Sequence, residues 1–356
     1  MIILIAGDWH SELHEALVEK SLKSLGHEVI SFKWHIYFQG WNRYSDIYLK
    51  FQNKYLFGPT VQKINRDLID SVNFEQPCTL FIYRGTHIYP KTLAEIKKRN
   101  PNILIVGYNN DDPFSSGYPR WVWRHFLKSL THYDIMFAYR HKNLKEFSES
   151  GVGNVHLLRS WFDPERTQPA VLSAHQHSGS ECDITFIGHY EDDGRLEILE
   201  EVVKRGWKLK LYGPGYEWDD VISESDYLRQ LAPINLVWGN EYNTAICNAK
   251  IALCFLSKLN NDTYTRRCFE IPACGTVLMS ERTSDLTSLY ADGDEAVFFD
   301  TKSEFGRKID YLLANQSEID RIGKNGLRRV WQDGHDIKSR MRTVLETIEN
   351  VRKKIR

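Results

Sequence analysis

The sequence lacks several things, and each absence removes a class of protein. No apolar run approaches the ~20 residues of a membrane-spanning helix. The opening run Met1 to Ala6 stops at Gly7-Asp8, too short for the apolar core of a secretory signal. Net charge is −1 over 356 residues, so nothing calls for nucleic acid or an acidic partner. The six cysteines, Cys78, Cys182, Cys247, Cys254, Cys268 and Cys274, include no Cys-x-x-Cys pair. No histidine cluster supplies the missing ligands of a zinc site. Cysteine used this way suits a reducing cytoplasm. No repeat of fixed period is present. Basic residues gather at Arg352-Lys-Lys-Ile-Arg356. This run reads as a solvated helix end, with weak peripheral contact at the inner face of a membrane as the alternative.

What is present is a repeated alternation of strand and helix. Met1-Ile-Ile-Leu-Ile-Ala6 has the continuous apolar character of a strand buried on both faces. Leu13, Leu17, Leu22 and Leu25 follow at helical spacing, Gly26 ends that helix, and Glu28 to Phe32 resumes strand. This is a βαβ unit, the seed of a doubly wound sheet. Further strands are expected at Thr79–Tyr83, Ile103–Val106, Ile135–Ala138 and Asn154–Leu158, with helices at Pro90–Arg99 and Trp121–Leu130. The stretch from Tyr37 to Asp70 reads as mostly helical, with a break at Gly58-Pro59. Periodicity then disappears from Asp163 to Cys182, the expected linker.

A second series begins at Asp183–Ile187. It continues with a helix at Arg195–Arg205 and strands at Leu209–Tyr212, Ile234–Trp238, Ile251–Phe255, Thr276–Met279 and Ala296–Phe299. A helical tail closes the chain. Two α/β series joined by a linker predict a two-lobed α/β protein. Ten Trp and eighteen Tyr suit sugar stacking and ordinary cores equally.

The densest chemistry lies in Tyr264-Thr-Arg-Arg-Cys-Phe-Glu-Ile-Pro-Ala-Cys-Gly-Thr-Val-Leu-Met279. A helix from near Arg266 to Gly275 would carry Arg266, Arg267 and Glu270 near its N-terminal end, where anions are favoured. Arginine offers a planar fork to phosphate oxygens, and a carboxylate accepts from both hydroxyls of a ribose. The segment fits a holder for a nucleotide diphosphate; a salt-bridged helix entering a strand fits the spacing as well.

Arg267-Cys-Phe-Glu270 with Ala273 and Gly275 resembles the C-terminal signature of GT-B glycosyltransferases, in the branch typified by CgeB-like proteins. The resemblance covers Asp183 to Arg340 strongly and the N-terminal half weakly. It implies a GT-B α/β architecture, with two Rossmann-like doubly wound domains facing a cleft. Residues 1–165 would bind the acceptor, 166–182 would form the linker and 183–335 would bind the nucleotide sugar. Residues 336–356 would form a helix crossing back to the first domain. His335 and Arg340 match the family's terminal block and would help seat that helix.

The resemblance also implies site roles. Glu270 would grip the ribose, and Arg266 or Arg267 the diphosphate. Related retaining families carry a second glutamate seven residues earlier; Thr263 stands there instead, beside Asp262. Phe186-Ile-Gly-His-Tyr190, followed by Arg195, matches a block beside the donor diphosphate, which makes Gly188 and Arg195 donor residues. A plain βα turn is the alternative. Glu191-Asp-Asp193 suggests a metal site of the GT-A kind, but the two-lobe pattern favours an acidic turn or a helix cap at Asp193. Gly213-Pro-Gly215 after a strand would approach the nucleotide, with Tyr212, Tyr216 and Trp218 offering a face to the base, or would be a turn with no ligand. Asn240-Glu-Tyr242 starts a helix and would line the base pocket.

In the first series, Asp8 follows a strand and fits a general base, with His10 or His14 sharing the work, or else a helix cap. Tyr108-Asn-Asn-Asp-Asp-Pro113 matches an Asp-Asp-Pro-like block of the family, which makes Asp112 or Asp111 the leading base candidate, at an acceptor-hydroxyl site; an Asp-Pro turn with no function is the alternative. Arg84 would bind an acceptor phosphate or pair with Asp111. His141 reads as a surface residue.

Together these imply transfer of a sugar from a UDP-, GDP- or dTDP-linked donor to a saccharide or lipid-linked glycan, as in bacterial surface polysaccharide synthesis. No cofactor or metal would be needed, since cations and amides can stabilise the departing diphosphate. A GT-B-fold nucleotide-sugar epimerase and a non-catalytic nucleotide-binding protein are the rival readings.

Overall fold

The computed structural model describes residues 1–39, 44–169 and 182–355. Most of the expected linker, from residue 170 to 181, lies outside the described residues. The chain divides into two compact units: Met1–Ser160 with Ile337–Arg356, and Trp161–Asp336.

Among the described residues, the first unit is built on six parallel strands. They are β1 (Ile2–Gly7), β2 (Glu28–Lys33), β3 (Thr79–Tyr83), β4 (Leu104–Asn109), β5 (Ile135–Ala138) and β6 (Val155–Leu157), in the order β2-β1-β3-β4-β5-β6. β3 and β4 are buried along their whole length, as strands covered on both faces must be. The register pairs Ala6 with Ile82 and Tyr83 with Tyr108. The residues that follow β1, β3 and β4 therefore leave the same edge of the sheet. The expected helical stretch resolves into a 3-10 turn (Trp34–Phe38) and the helices Asp46–Tyr55 and Pro59–Glu75; proline at the start of the second fits a position whose N–H has no helical partner.

The last helix, Ile337–Ile355, belongs to this unit. Met341, Val344, Ile348 and Val351 bury one of its faces. Arg352 is an anchor rather than a solvated end: its Nη2 donates to Cys78 O at 2.7 Å. Lys353 and Lys354 are exposed. At the start of this helix, Arg340 Nε donates to Ser160 O at 3.4 Å.

The second unit holds five parallel strands: β7 (Cys182–Ile187), β8 (Leu209–Tyr212), β9 (Ala249–Cys254), β10 (Val277–Glu281) and β11 (Val297–Phe299), in the order β11-β10-β9-β7-β8. The strand expected at Ile234–Trp238 does not form. Asn235 O accepts one bond from Gly213 N, and Ile234 N is taken by the Asp219 carboxylate at 2.8 Å. The short apolar stretch suggests a strand, but no ladder completes it.

The helix Arg267–Ala273 is short for an identifiable reason. Pro272 has no N–H to give to Cys268 O, and the Tyr290 hydroxyl donates there instead at 2.8 Å. Gly275 (φ 77°) then turns the chain into β10. Gly323 packs so closely on this turn that a Cβ would stand 2.3 Å from Gly275 O. His335 is buried against the ring of Phe269 (centroids 4.5 Å), with its carbonyl accepting from Phe162 N. Among the described residues, no helix is long and apolar enough to cross a membrane.

Candidate functional site

In the second unit the turns after β7 and β8 press together. Gly188 N donates to Tyr212 O at 2.9 Å, and Gly188 O accepts from the Trp218 indole at 2.9 Å. A Cβ on Gly213 would stand 2.2 Å from Gly188 O, so only glycine fits. A Cβ on Gly188 would meet the Phe186 ring at 2.8 Å and Arg267 Nη2 at 3.0 Å. Arg267 thus lies directly over the Gly188 backbone, although the two are far apart in sequence. Tyr212 is half-buried beside this turn.

Arg266 caps the short helix and has Nη1 buried with no hydrogen-bond partner among the described residues. Burial alone would lower the Arg267 pKa, but the acidic groups around it, Tyr242, Cys254 and Glu270, outweigh that and hold it above its ordinary value. Glu270 is buried, and its Oε2 accepts from the Tyr242 hydroxyl at 2.7 Å. Burial, with the Glu270 charge added, pushes the Tyr242 pKa well up, so its proton stays in that bond. Tyr242, half-buried, sits on the helix Gly239–Cys247.

Arg195 is buried and bound within its own loop. Its Nε and Nη2 grip Asp193 at 2.8 and 2.7 Å, and Nη1 donates to His189 O. Gly194, not Asp193, is the helix cap. Thr263 donates to Asp285 at 2.7 Å. Asp262 lines a pocket of about 330 Å³ with Arg195, Phe255 and Lys258. Lys258 had no signal in the sequence; it is a lone lysine in a loop after β9. Tyr216 is exposed, while Trp218 is fully buried and so offers no face to a ligand.

In the first unit the candidates gather at the shared strand edge. The carboxylate of Glu15 fills the space beside Gly7 and accepts from Asp8 N at 2.9 Å. Trp9 (φ 55°) and Arg84 (φ 67°) both adopt the left-handed backbone that residues with a side chain rarely take. Such conformations concentrate at functional sites. Asp8 does not cap a helix: the cap of Glu15–Ser24 is His14, and Asp8 Oδ2 pairs with His10 Nδ1 at 3.4 Å. The hydrogen bond to Asp8 raises the His10 pKa above 6.5 against the opposing effect of burial. Burial would raise the Asp8 pKa, but the bond to His10 and the nearby histidines His87 and His35 lower it overall. His14 Nδ1 is 2.9 Å from the Tyr83 hydroxyl.

Arg84 Nη2 pairs with Asp111 at 3.0 Å, while its Nε is buried without a hydrogen-bond partner among the described residues. Asp112 is fully buried. It holds Lys142 Nζ and Asn143 Nδ2 at 2.9 Å each and accepts from Phe114 N at 3.1 Å. Those bonds tie the turn to the helix His141–Glu149 and leave no oxygen exposed to a ligand. His141 is exposed. A pocket of about 470 Å³ opens beside Asp8 and His10, lined also by Trp9, His35, Lys50 and Asn53. Those four residues come from a turn and two helices, and no motif marked them. Among the described residues, no group of three or more His, Cys, Asp or Glu could hold a metal ion.

Residues 195–346 match the model of a family described as glycosyl transferase-like. No curated protein matches the sequence. Sucrose-phosphate synthase from Thermosynechococcus elongatus has a similar structure, with TM-score 0.71, 11% identity and 99% of each chain covered. HepE from Anabaena, in complex with UDP and glucose, superposes with TM-score 0.68 at 10% identity, over 98% of this chain and 100% of that one. α,α-Trehalose 6-phosphate synthase from Burkholderia multivorans gives 0.66 at 11%, over 100% and 99%. At such identities the likeness is one of fold, and that fold is GT-B.

Proposed function

We propose that this chain transfers a sugar from a nucleotide-diphosphate donor to a hydroxyl of a saccharide or lipid-linked glycan, without a metal. The observation that carries the reading is the meeting of Gly188, Arg267 and Glu270 at the carboxyl edge of the second sheet, where open α/β sheets bind ligands. Arg266 and Arg267 are the donors for the diphosphate, and the unpartnered Nη1 of Arg266 supports that role. Glu270 takes the ribose hydroxyls, with Tyr242 holding its carboxylate in place. Arg195 and Asp193 shape the loop that follows Gly188. HepE was solved with UDP, which supports a uridine nucleotide as the first donor to test.

In the reaction the acceptor oxygen bonds to the anomeric carbon as the bond from that carbon to the phosphate oxygen breaks. The acceptor proton passes to the Asp8–His10 pair, and the charge left on the diphosphate is met by the arginines. Asp8 and His10 fit this role better than Asp112, whose oxygens are already committed. Arg84 binds a polar group of the acceptor in this reading, which its pairing with Asp111 and the Nε without a partner among the described residues support.

The test is a melting-temperature screen against UDP, GDP, dTDP, ADP and CMP, followed by assay of the matching nucleotide sugars with and without saccharide acceptors. One nucleoside diphosphate should raise the melting point, and its release from the donor should accelerate with acceptor. A screen with no stabilising diphosphate would contradict the reading. Conversion of the donor to an isomer without acceptor would replace it with an epimerase.

A further inference from the structure

The helix Asp46–Tyr55 is built inside out. Its buried residues are Leu49 and Gln52, and Gln52 Oε1 accepts from Thr60 N at 2.7 Å to fix the start of the next helix. Its outward face, at helical spacing, carries Ile47, Lys50, Phe51 and Lys54. Ile47 is 83% exposed and Phe51 42%. A helix serving only its own core would reverse this, with the glutamine outside and the isoleucine and phenylalanine within.

The apolar face continues beyond the helix. Phe57, 45% exposed, meets the Phe51 ring edge-on at 5.5 Å. Tyr55 lies 4.7 Å from the Phe51 ring and 5.1 Å from that of Trp121. Single exposed apolar residues are ordinary, but a contiguous set is not. Cations interleave with it. Lys50 and Lys54 are exposed, and Arg124 lies 5.9 Å from the Phe57 ring centre while its Nη2 binds the carbonyls of Tyr55 and Leu56. The helix has one acidic residue, Asp46, at its start.

We infer that this face docks on an anionic lipid bilayer. Ile47, Phe51 and Phe57 enter the boundary between headgroups and acyl chains, Tyr55 and Trp121 sit at headgroup level, and Lys50 and Lys54 meet the lipid phosphates. A second copy of the chain fits less well. A two-fold contact through this face would set Lys50 and Lys54 against their own counterparts, and like charges repel. This surface is separate from the basic C-terminal run; Lys50, at its edge, also lines the pocket beside Asp8, but the inference does not depend on the proposed reaction.

The test is co-sedimentation of the full chain with vesicles of phosphatidylcholine alone and of phosphatidylcholine mixed with phosphatidylglycerol. The chain should bind the mixed vesicles, bind the neutral ones weakly, and lose affinity as salt rises. Ile47→Ser with Phe51→Ser, and separately Lys50→Glu with Lys54→Glu, should each lower partitioning by about tenfold or more. Lys353→Glu with Lys354→Glu should leave it unchanged. Both lysines of the helix are exposed, so the charge pair remains a valid test if the apolar pair fails to fold. The inference is overturned if the chain ignores anionic vesicles, or if the tail variant abolishes binding while the helix variants do not. It is also overturned if the chain is a dimer in solution that Ile47→Ser with Phe51→Ser converts to monomer.

Discussion

The two units share one plan, a parallel sheet with its central strands buried, yet they hold their polar candidates in different ways. In the second unit Gly188, Gly213, Arg267 and Glu270 are locked by contacts that leave no room for a Cβ and by a buried Tyr242–Glu270 bond. In the first unit Asp8, His10, Arg84 and Asp111 stand on post-strand turns, partly exposed, with left-handed backbone at Trp9 and Arg84. A rigid cradle suits a ligand with a constant part, such as a nucleotide diphosphate. A turn-borne set of ion pairs suits proton transfer, where groups must exchange partners. The comparison teaches that the two halves of the chemistry should fail differently when mutated.

The largest expected effect lies in the first unit. Asp8→Asn should lower turnover by about a thousandfold, within the range of lost general base catalysis, and leave nucleotide affinity intact. Wild-type turnover should rise with pH through an apparent pKa above 6.5, since the bond to Asp8 raises the His10 pKa and the neutral imidazole is the form that accepts a proton. In Asp8→Asn that pKa should fall. Unchanged turnover in this variant would move the base elsewhere.

Asp112→Ala comes next. It strips a fully buried carboxylate from Lys142 and Asn143, which should cost about 3 kcal/mol in denaturant unfolding. A loss of turnover with no change in stability would restore Asp112 as a base.

His87 gives a pH effect of similar or smaller size. It is buried, hydrogen-bonded to Asn53 Oδ1 at 2.8 Å, and burial lowers its pKa to about 4. The unfolded chain binds that proton at about 6.5 and the folded chain only near 4. Stability should therefore be flat above about 6.5 and fall as pH drops through the window to 4, by about 3 kcal/mol in all from this group. His87→Gln should flatten that slope; an unchanged slope would assign it to other groups.

The smallest effect is Tyr242→Phe. Loss of one hydrogen bond to a charged acceptor should weaken nucleotide binding by roughly tenfold, through looser placement of Glu270. A change in turnover alone would place Tyr242 in the chemistry instead.

The strands were largely legible because parallel strands buried on both faces read as apolar runs. Thr79–Tyr83 and Ile135–Ala138 fall where their residues indicate. Ile234–Trp238 misled because a short apolar stretch does not supply a neighbouring strand. The donor candidates were legible as a compact block, Arg266, Arg267 and Glu270, with the Gly188 turn as a separate clue. What the sequence could not carry is pairing at a distance. Asp112 looks like a free carboxylate until Lys142 and Asn143, some thirty residues on, close over it. Arg195 looks like a free cation until its own loop folds Asp193 onto it. Lys50 and Asn53 reach the Asp8 pocket from a helix that no motif marks.

The central claim is that the second unit binds a nucleoside diphosphate through Arg267 and Glu270. The most direct measurement is calorimetric titration of the nucleoside diphosphate selected by the melting screen into the wild type, Arg267→Ala and Glu270→Ala. Loss of charge-assisted bonds should weaken binding by roughly tenfold to a hundredfold in each variant. Wild-type affinity in both, with the fold intact, would contradict it.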